Sequence, residues 1–153
     1  MGNAVIREAA AKGFQIVGAV EATGNPCIGK SLRELGICDS DTRIAGADKI
    51  RSAAANADVY VTFTSPAAEA QNIPVIAALG KRIVLGTTGL TEAQDSLIRE
   101  AVESKVPAVF SPNYSVGVNI LFQLAKALKA FPQGYDFSIT EVHHTGKKDT
   151  PSG

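Results

Sequence analysis

This 153-residue sequence has no excess of charge. Its 15 basic and 15 acidic residues cancel, which argues against a nucleic-acid or anionic-membrane surface held by bulk electrostatics; any charged ligand must be met locally. Cysteine is scarce: Cys27 and Cys38 are too far apart for a CxxC pair, and no second pair exists. A redox or zinc motif of that kind is therefore excluded, and the two thiols read as reduced side chains of a cytoplasmic protein. No uninterrupted apolar run approaches the roughly 18 residues of a membrane-spanning helix. The opening MGNAVIREAAAKG lacks the apolar core and cleavage site of a secretory leader, and Ile6 stands where a myristoylation motif needs Ser or Thr. No fixed-period repeat or low-complexity tract occurs.

The length suits one domain with a core, or pieces of two. Residues 3–12 carry Val5, Ile6, Ala9 and Ala10 at helical spacing before Gly13, predicting an amphipathic helix. The apolar run from Phe14 to Val20, with QIVGAV at its heart, predicts a buried parallel strand tipped by Glu21. After the loop TGNPCIGK and a weakly patterned stretch to Gly46, a helix is expected over 48–55, then the β-rich DVYVTFT (58–64). A helix over 66–79, interrupted near Pro74, leads to RIVLGTTG, a strand entering a glycine-bounded turn. Residues 91–104 form the clearest helix, with Thr91 as N-cap and Leu97, Ile98, Ala101 and Val102 on one face. VPAVFSPN reads as a strand, VNILFQLAKALKAF as a helix, and YDFSITEVHH as a longer strand placing Phe137, Ile139 and Glu141 on one side. This alternation predicts an α/β domain with a mainly parallel sheet.

Ligands gather at the carboxyl ends of strands in such sheets. Those ends read Glu21, then Thr62-Phe63-Thr64, Gly86-Thr87-Thr88-Gly89, Ser111-Pro112-Asn113-Tyr114 and His143-His144. Glu21 stands where a dinucleotide-binding domain places a carboxylate on the adenosine ribose. Ala22 follows instead of an arginine that would meet a 2′-phosphate, which tilts the reading toward NADH. A G-x-G-x-x-G fingerprint is absent. Glycine in GTTG permits close approach of a planar ring or a phosphate, and threonine hydroxyls can hold a carboxamide; the 111–117 segment offers similar chemistry at the start of a helix. Plain turns account equally well for any one of these glycine, threonine, serine or asparagine tips but not for all five together, and a solvated loop carboxylate is the lesser reading of Glu21.

The tail EVHHTGKKDTPSG (141–153) holds both histidines, two lysines and a Pro-Ser-Gly turn. Histidine moves protons near neutral pH, and a nearby lysine donates a proton or holds a substrate anion. Metal binding competes for adjacent histidines. However, neighbours on a strand point to opposite faces, and no third histidine is available, so no metal is expected.

This tail resembles E-x-H-H-x-x-K-x-D-x-P-S-G-T, the signature of the dihydrodipicolinate reductase (4-hydroxy-tetrahydrodipicolinate reductase) family of lysine and diaminopimelate biosynthesis. VTFTSP, VLGTTGL and SPNYSVGVN resemble that family's D-F-T-x-P, G-T-T-G and N-x-S-x-G-V segments in the same order. The resemblance implies a Rossmann-like doubly wound parallel sheet over 1–112 and the start of an α+β substrate domain over 113–153. It implies His143 as general acid/base, Lys147 as proton donor and His144 on the substrate, with Ser152 and Gly153 opening a carboxylate-binding loop. Glu21, Gly86, Thr87, Thr88, Ser111, Pro112, Asn113 and Tyr114 would serve NADH or NADPH, the substrate would be a small dicarboxylate, and the whole protein would be a homotetramer. Another Rossmann-type dehydrogenase and a non-catalytic nucleotide-binding module are the alternative readings. The family's first strand and G-x-x-G-R-M-G loop are missing except for Met1-Gly2, and most of its substrate domain would follow Gly153. The chain is therefore expected to be a fragment cut at both ends. Because the missing strand is central in this strand order, two inner strand edges should lie open; the isolated chain is expected to be poorly folded or aggregation-prone, and inactive.

Overall fold

In the computed structural model, residues 1–131, 134–138, 140–143 and 145 are described. The chain divides into two compact units, Met1–Phe110 and Ser111–Gly153.

The first unit alternates helices and strands as the apolar patterning requires. Its elements are α1 (Gly2–Ala11), β1 (Ala19–Glu21), β2 (Ile44–Gly46), α2 (Ile50–Ala53), β3 (Val59–Thr62), α3 (Pro66–Ala78), β4 (Arg82–Leu85), α4 (Glu92–Val102) and β5 (Ala108–Phe110). Every strand pairing is parallel: β1 with β2, and β3 with β4 with β5. The arrangement is a Rossmann-like α/β fold laid out as a two-stranded and a three-stranded sheet. Among the described residues β1 and β3 are each paired on one side only.

One core joins these pieces. Ile50 of α2 and Ala54 just after it, Ile73, Ile76 and Ala77 of α3, Ile83 and Leu85 of β4, and Ile98 and Val102 of α4 are buried together, with Val20 of β1 packed against them. Full burial of an Ile or Leu contributes about 1.5–3 kcal/mol, so Ile73, Ile76, Ile83, Leu85 and Ile98 supply the main cohesion. A smaller cluster of Leu32, Ile37 and Ile44 takes in Ile6, Ile16, Cys27 and Cys38, both cysteines being free thiols. β1 runs so close to α2 that a Cβ on Gly18 would overlap the Ala53 carbonyl.

Some boundaries differ from the sequence pattern. Only Ala19–Glu21 of the 14–20 run forms a ladder, and Phe14 and Val17 stay exposed because nothing covers them. Pro74 does not interrupt α3. Although a proline inside a helix costs about 3 kcal/mol and leaves a carbonyl unpaired, Ile73, Ile76 and Ala77 around it are buried, and that packing holds the helix together. Thr91 caps α4 as expected, in a full capping box with Gln94. Leu97, expected on the buried face of α4, is instead exposed, while Ile98 and Val102 face inward.

In the second unit, α5 (Val116–Ala127) runs into a short 3₁₀ turn at Leu128–Ala130. Ile120, Leu121, Leu124 and Leu128 are exposed along it. The Phe131 ring meets Tyr135 and Phe137 edge-on, with centroids 5.5 and 5.7 Å apart. The strand expected over 135–144 is not formed among the described residues, for a strand exists only with a ladder partner. No described helix is long and apolar enough to cross a membrane.

Within the first unit, and among the described residues, the three-stranded sheet is covered on one face only. Tyr60, Thr62, Ile83, Leu85 and Phe110 lie toward the core, whereas Val59, Val61 and Val109 are 43%, 43% and 55% exposed. Parallel sheets normally bury both faces, and a valine face beside an open β3 edge invites pairing with another chain. The 153-residue chain should therefore self-associate. Val61→Lys should shift its sedimentation profile toward monomer, while Leu97→Lys, at an equally exposed site on α4 (44%), should leave the profile unchanged.

Candidate functional site

The carboxyl ends of β3 and β4 form the best-defined cluster of polar groups in the first unit. The parallel register sets Thr62 beside Leu85, and the Gly86 amide donates to the Thr62 carbonyl at 2.9 Å, carrying the ladder one residue past the strand. Beyond it the two tips are tied by side chains. The Thr64 amide donates to Thr87 Oγ1 at 2.8 Å, and Thr87 Oγ1 donates to Glu69 Oε1 at 2.6 Å. The same carboxylate oxygen accepts from Thr62 Oγ1 at 2.7 Å and Thr64 Oγ1 at 2.6 Å. Glu69 lies in the first turn of α3, where Ser65 caps the helix by accepting from the Ala68 amide and the helix dipole favours an anion.

Gly86 has a specific neighbour: a Cβ there would overlap the Phe63 ring. The planar group that demands glycine at this strand end is thus a side chain of the protein itself, delivered by the β3 tip. Tyr60, half-buried below this cluster, has its phenol pushed up from the ordinary value, first by burial; a hydrogen bond with Thr62 opposes that, the Glu69 charge adds to it, and a bond with Asn72 opposes it.

Glu21 ends β1 exposed, its Oε2 accepting from the Ala22 amide and from Asn25 Nδ2, both at 3.2 Å. An exposed carboxylate with lone pairs to spare can take hydroxyl donors, as a ribose offers. Among the described residues no hydrogen bond joins it to Gly86, Thr87 or Thr88. Thr88 and Gly86 are half-buried.

In the second unit, Ser111, Asn113 and Asn119 tie the loop before α5. Ser111 Oγ donates to the Asn113 carbonyl at 2.7 Å, and the Asn113 amide donates back at 3.3 Å. The Ser115 amide donates to Asn113 Oδ1 at 2.8 Å, and Asn119 Nδ2 donates to the Asn113 and Ser115 carbonyls at 2.9 and 2.8 Å. Burial raises the Tyr114 phenol, against a hydrogen bond at the Ser111 backbone. Pro112 sits within this loop. His143 Nδ1 lies 3.7 Å from Glu141 Oε2, an ion-pair distance too long for a hydrogen bond. His144, Lys147, Ser152 and Gly153 lie outside the described residues. Among the described residues no group of three or more His, Cys, Asp or Glu is placed to hold a metal ion.

Glu69 is the residue that the sequence reading missed. Its signal was available: with Ile73 and Ile76 it occupies i, i+4 and i+7 of α3, and a carboxylate on an apolar stripe must have partners inside the fold.

Comparison with known proteins gives the chain its relatives. A family model described as dihydrodipicolinate reductase, N-terminus, matches residues 1–114, and one described as dihydrodipicolinate reductase, C-terminus, matches residues 117–153. The 4-hydroxy-tetrahydrodipicolinate reductase of Anaeromyxobacter dehalogenans (strain 2CP-1) is 41% identical over 155 residues, covering 100% of this chain and 57% of the relative. Its counterpart in Nitrosomonas europaea is 38% identical over 155 residues with the same coverage. That of Methanosarcina barkeri is 47% identical over 98 residues, 63% of this chain and 37% of the relative. The chain thus spans 57% of the length of the first two relatives, and with its N-terminal model matched over residues 1–114 it belongs to the dihydrodipicolinate reductase family.

Proposed function

We propose that the protein carrying this chain reduces 4-hydroxy-tetrahydrodipicolinate to tetrahydrodipicolinate, with NADH or NADPH as hydride donor. The reading rests chiefly on one observation: a family match over residues 1–114 coincides with a parallel α/β sheet whose strand tips carry Glu21, Gly86, Thr87 and Thr88. Residues 1–112 are assigned to the dinucleotide and 113–153 to the beginning of the substrate-binding part.

The nicotinamide, when bound, supplies the hydride; one proton enters with it and one water leaves, which balances the reduction. The protein's residues bind and move that proton. His143 is the general acid/base. With Glu141 Oε2 on the Nδ1 side, its Nε2 remains to face a ligand. Lys147 is the proton donor, His144 contacts the substrate, and Ser152 with Gly153 offers a hydroxyl and amides to a carboxylate. Glu21 takes the adenosine ribose, its spare lone pairs suiting hydroxyl donors. Gly86, Thr87 through its backbone, and Thr88 serve the nicotinamide end, and Ser111, Pro112, Asn113 and Tyr114 also serve the dinucleotide. The whole protein is a homotetramer in this reading, and its substrate a small dicarboxylate.

Two measurements test it in the full-length protein. His143→Ala and Lys147→Ala should each lower kcat by about 10²–10⁴-fold with dinucleotide affinity held within about twofold; unchanged turnover would remove the enzyme reading. Glu21→Ala should weaken NADH binding more than NADPH binding, since a carboxylate repels a 2′-phosphate, moving the affinity ratio on the order of tenfold, or about 1.4 kcal/mol. An unmoved ratio would take Glu21 off the ribose.

A further inference from the structure

Glu69 is fully buried, yet only one of its oxygens is used. Oε1 accepts from the hydroxyls of Thr62, Thr64 and Thr87 at 2.6–2.7 Å, and weakly from the Thr64 amide at 3.3 Å. Oε2 is buried with no hydrogen-bond partner among the described residues. A buried carboxylate satisfied on one side is costly, and apolar replacement of buried ionic groups is often neutral or stabilising. Stability alone gives little reason to keep it.

The arrangement it enforces is a better reason. Thr87 belongs to the turn after β4, and Thr64 to the turn after β3. The Thr87 proton goes to Glu69 and a Thr87 lone pair takes the Thr64 amide, so the Thr87 side chain is consumed internally and held in one rotamer. Thr88, half-buried like Thr87, makes no side-chain hydrogen bond among the described residues, which leaves its hydroxyl as the one in this turn without an internal partner. The family pattern quoted above, D-F-T-x-P, begins with a carboxylate on the strand; here that position is Thr62, and a carboxylate reaches Thr62 Oγ1 from α3 instead.

We propose that Glu69 is a positioning residue of the dinucleotide site: by drawing the Thr62, Thr64 and Thr87 hydroxyls onto one carboxylate oxygen it locks the β3 and β4 turns together, turning Thr87 inward. This inference rests on the dinucleotide-dependent reading above. It acts on binding and orientation through Thr87 and leaves the proton-transfer residues untouched.

The test uses the full-length protein, with NADH and NADPH titrated by calorimetry and steady-state kinetics alongside. Glu69→Gln keeps the volume but replaces charge-assisted bonds with neutral ones, and should raise dinucleotide Kd and KM roughly tenfold while kcat changes less than about threefold. Thr87→Val should give the same split, and the two changes together should be less than additive, because they break one lock. A lower melting temperature with dinucleotide KM unchanged in Glu69→Gln and Thr87→Val would overturn the inference and leave the proposed reaction standing. Failure of the unmutated protein to bind either dinucleotide would remove the reading and this inference with it. Should Glu69→Gln fail to fold, Thr87→Val alone decides, since it deletes a hydroxyl at constant shape.

Discussion

Ile73 and Ile76 of α3 pack against Ile83 and Leu85 of β4, and all four are essentially without solvent exposure. That contact fixes the rotation of α3 about its axis, and the polar geometry at the strand tips follows from it. Glu69 lies four residues before Ile73 and seven before Ile76, on the same helical face. Once the isoleucines are seated, the carboxylate is carried to the ends of β3 and β4 with no freedom to turn toward water. A modest loss of packing under α3 would thus be felt first at the turns holding Thr64 and Thr87. These turns are joined by the Thr62, Thr64 and Thr87 hydroxyl bonds to one oxygen, beside the Thr64 amide on Thr87 and the Gly86 amide on the Thr62 carbonyl.

Much of the fold was legible because its elements announce themselves locally. The Thr91–Gln94 box and the Ile98/Val102 spacing specify α4 with little help from elsewhere, and the β-branched run Val59–Thr62 specifies a strand. Where the pattern misled, the deciding interaction lay outside the segment. Phe14 and Val17 have strand composition but lie exposed, and residues 135–143 have it without a ladder partner among the described residues; composition cannot supply either. Pro74 misled in the opposite direction: local chemistry argues for a break, and burial on both sides of the proline outweighs it.

The candidate site was legible to a similar degree and for similar reasons. Residues at strand ends follow from the fold class, so Glu21, Thr64, Gly86 and Thr87 could be placed at tips before any coordinates. What they touch could not be. The Phe63 ring lies against Gly86, and the Thr87 hydroxyl donates to Glu69. These contacts span 23 residues for Phe63 with Gly86 and 18 for Glu69 with Thr87, separations at which sequence spacing carries no geometric information. Glu69 escaped notice because acidic residues in a first helical turn are commonplace, and only its place on the apolar stripe marks it.

The choice of a glutamate on the helix over an aspartate on the strand has a physical consequence of its own. A carboxylate rooted in β3 would bond its own strand's turn readily and reach the β4 turn with difficulty. One rooted in α3 approaches from beneath both strands and can take Thr62, Thr64 and Thr87 on a single oxygen. The longer side chain has more rotamer freedom to lose, and its second oxygen goes without a partner among the described residues. Both are losses of stability, set against a fixed separation between two turns that would otherwise move independently. Proteins accept such losses where a rigid arrangement is used rather than merely tolerated. On that argument the half-satisfied carboxylate and the two neighbouring turns are one functional unit, which the hydrophobic seating of α3 holds in register.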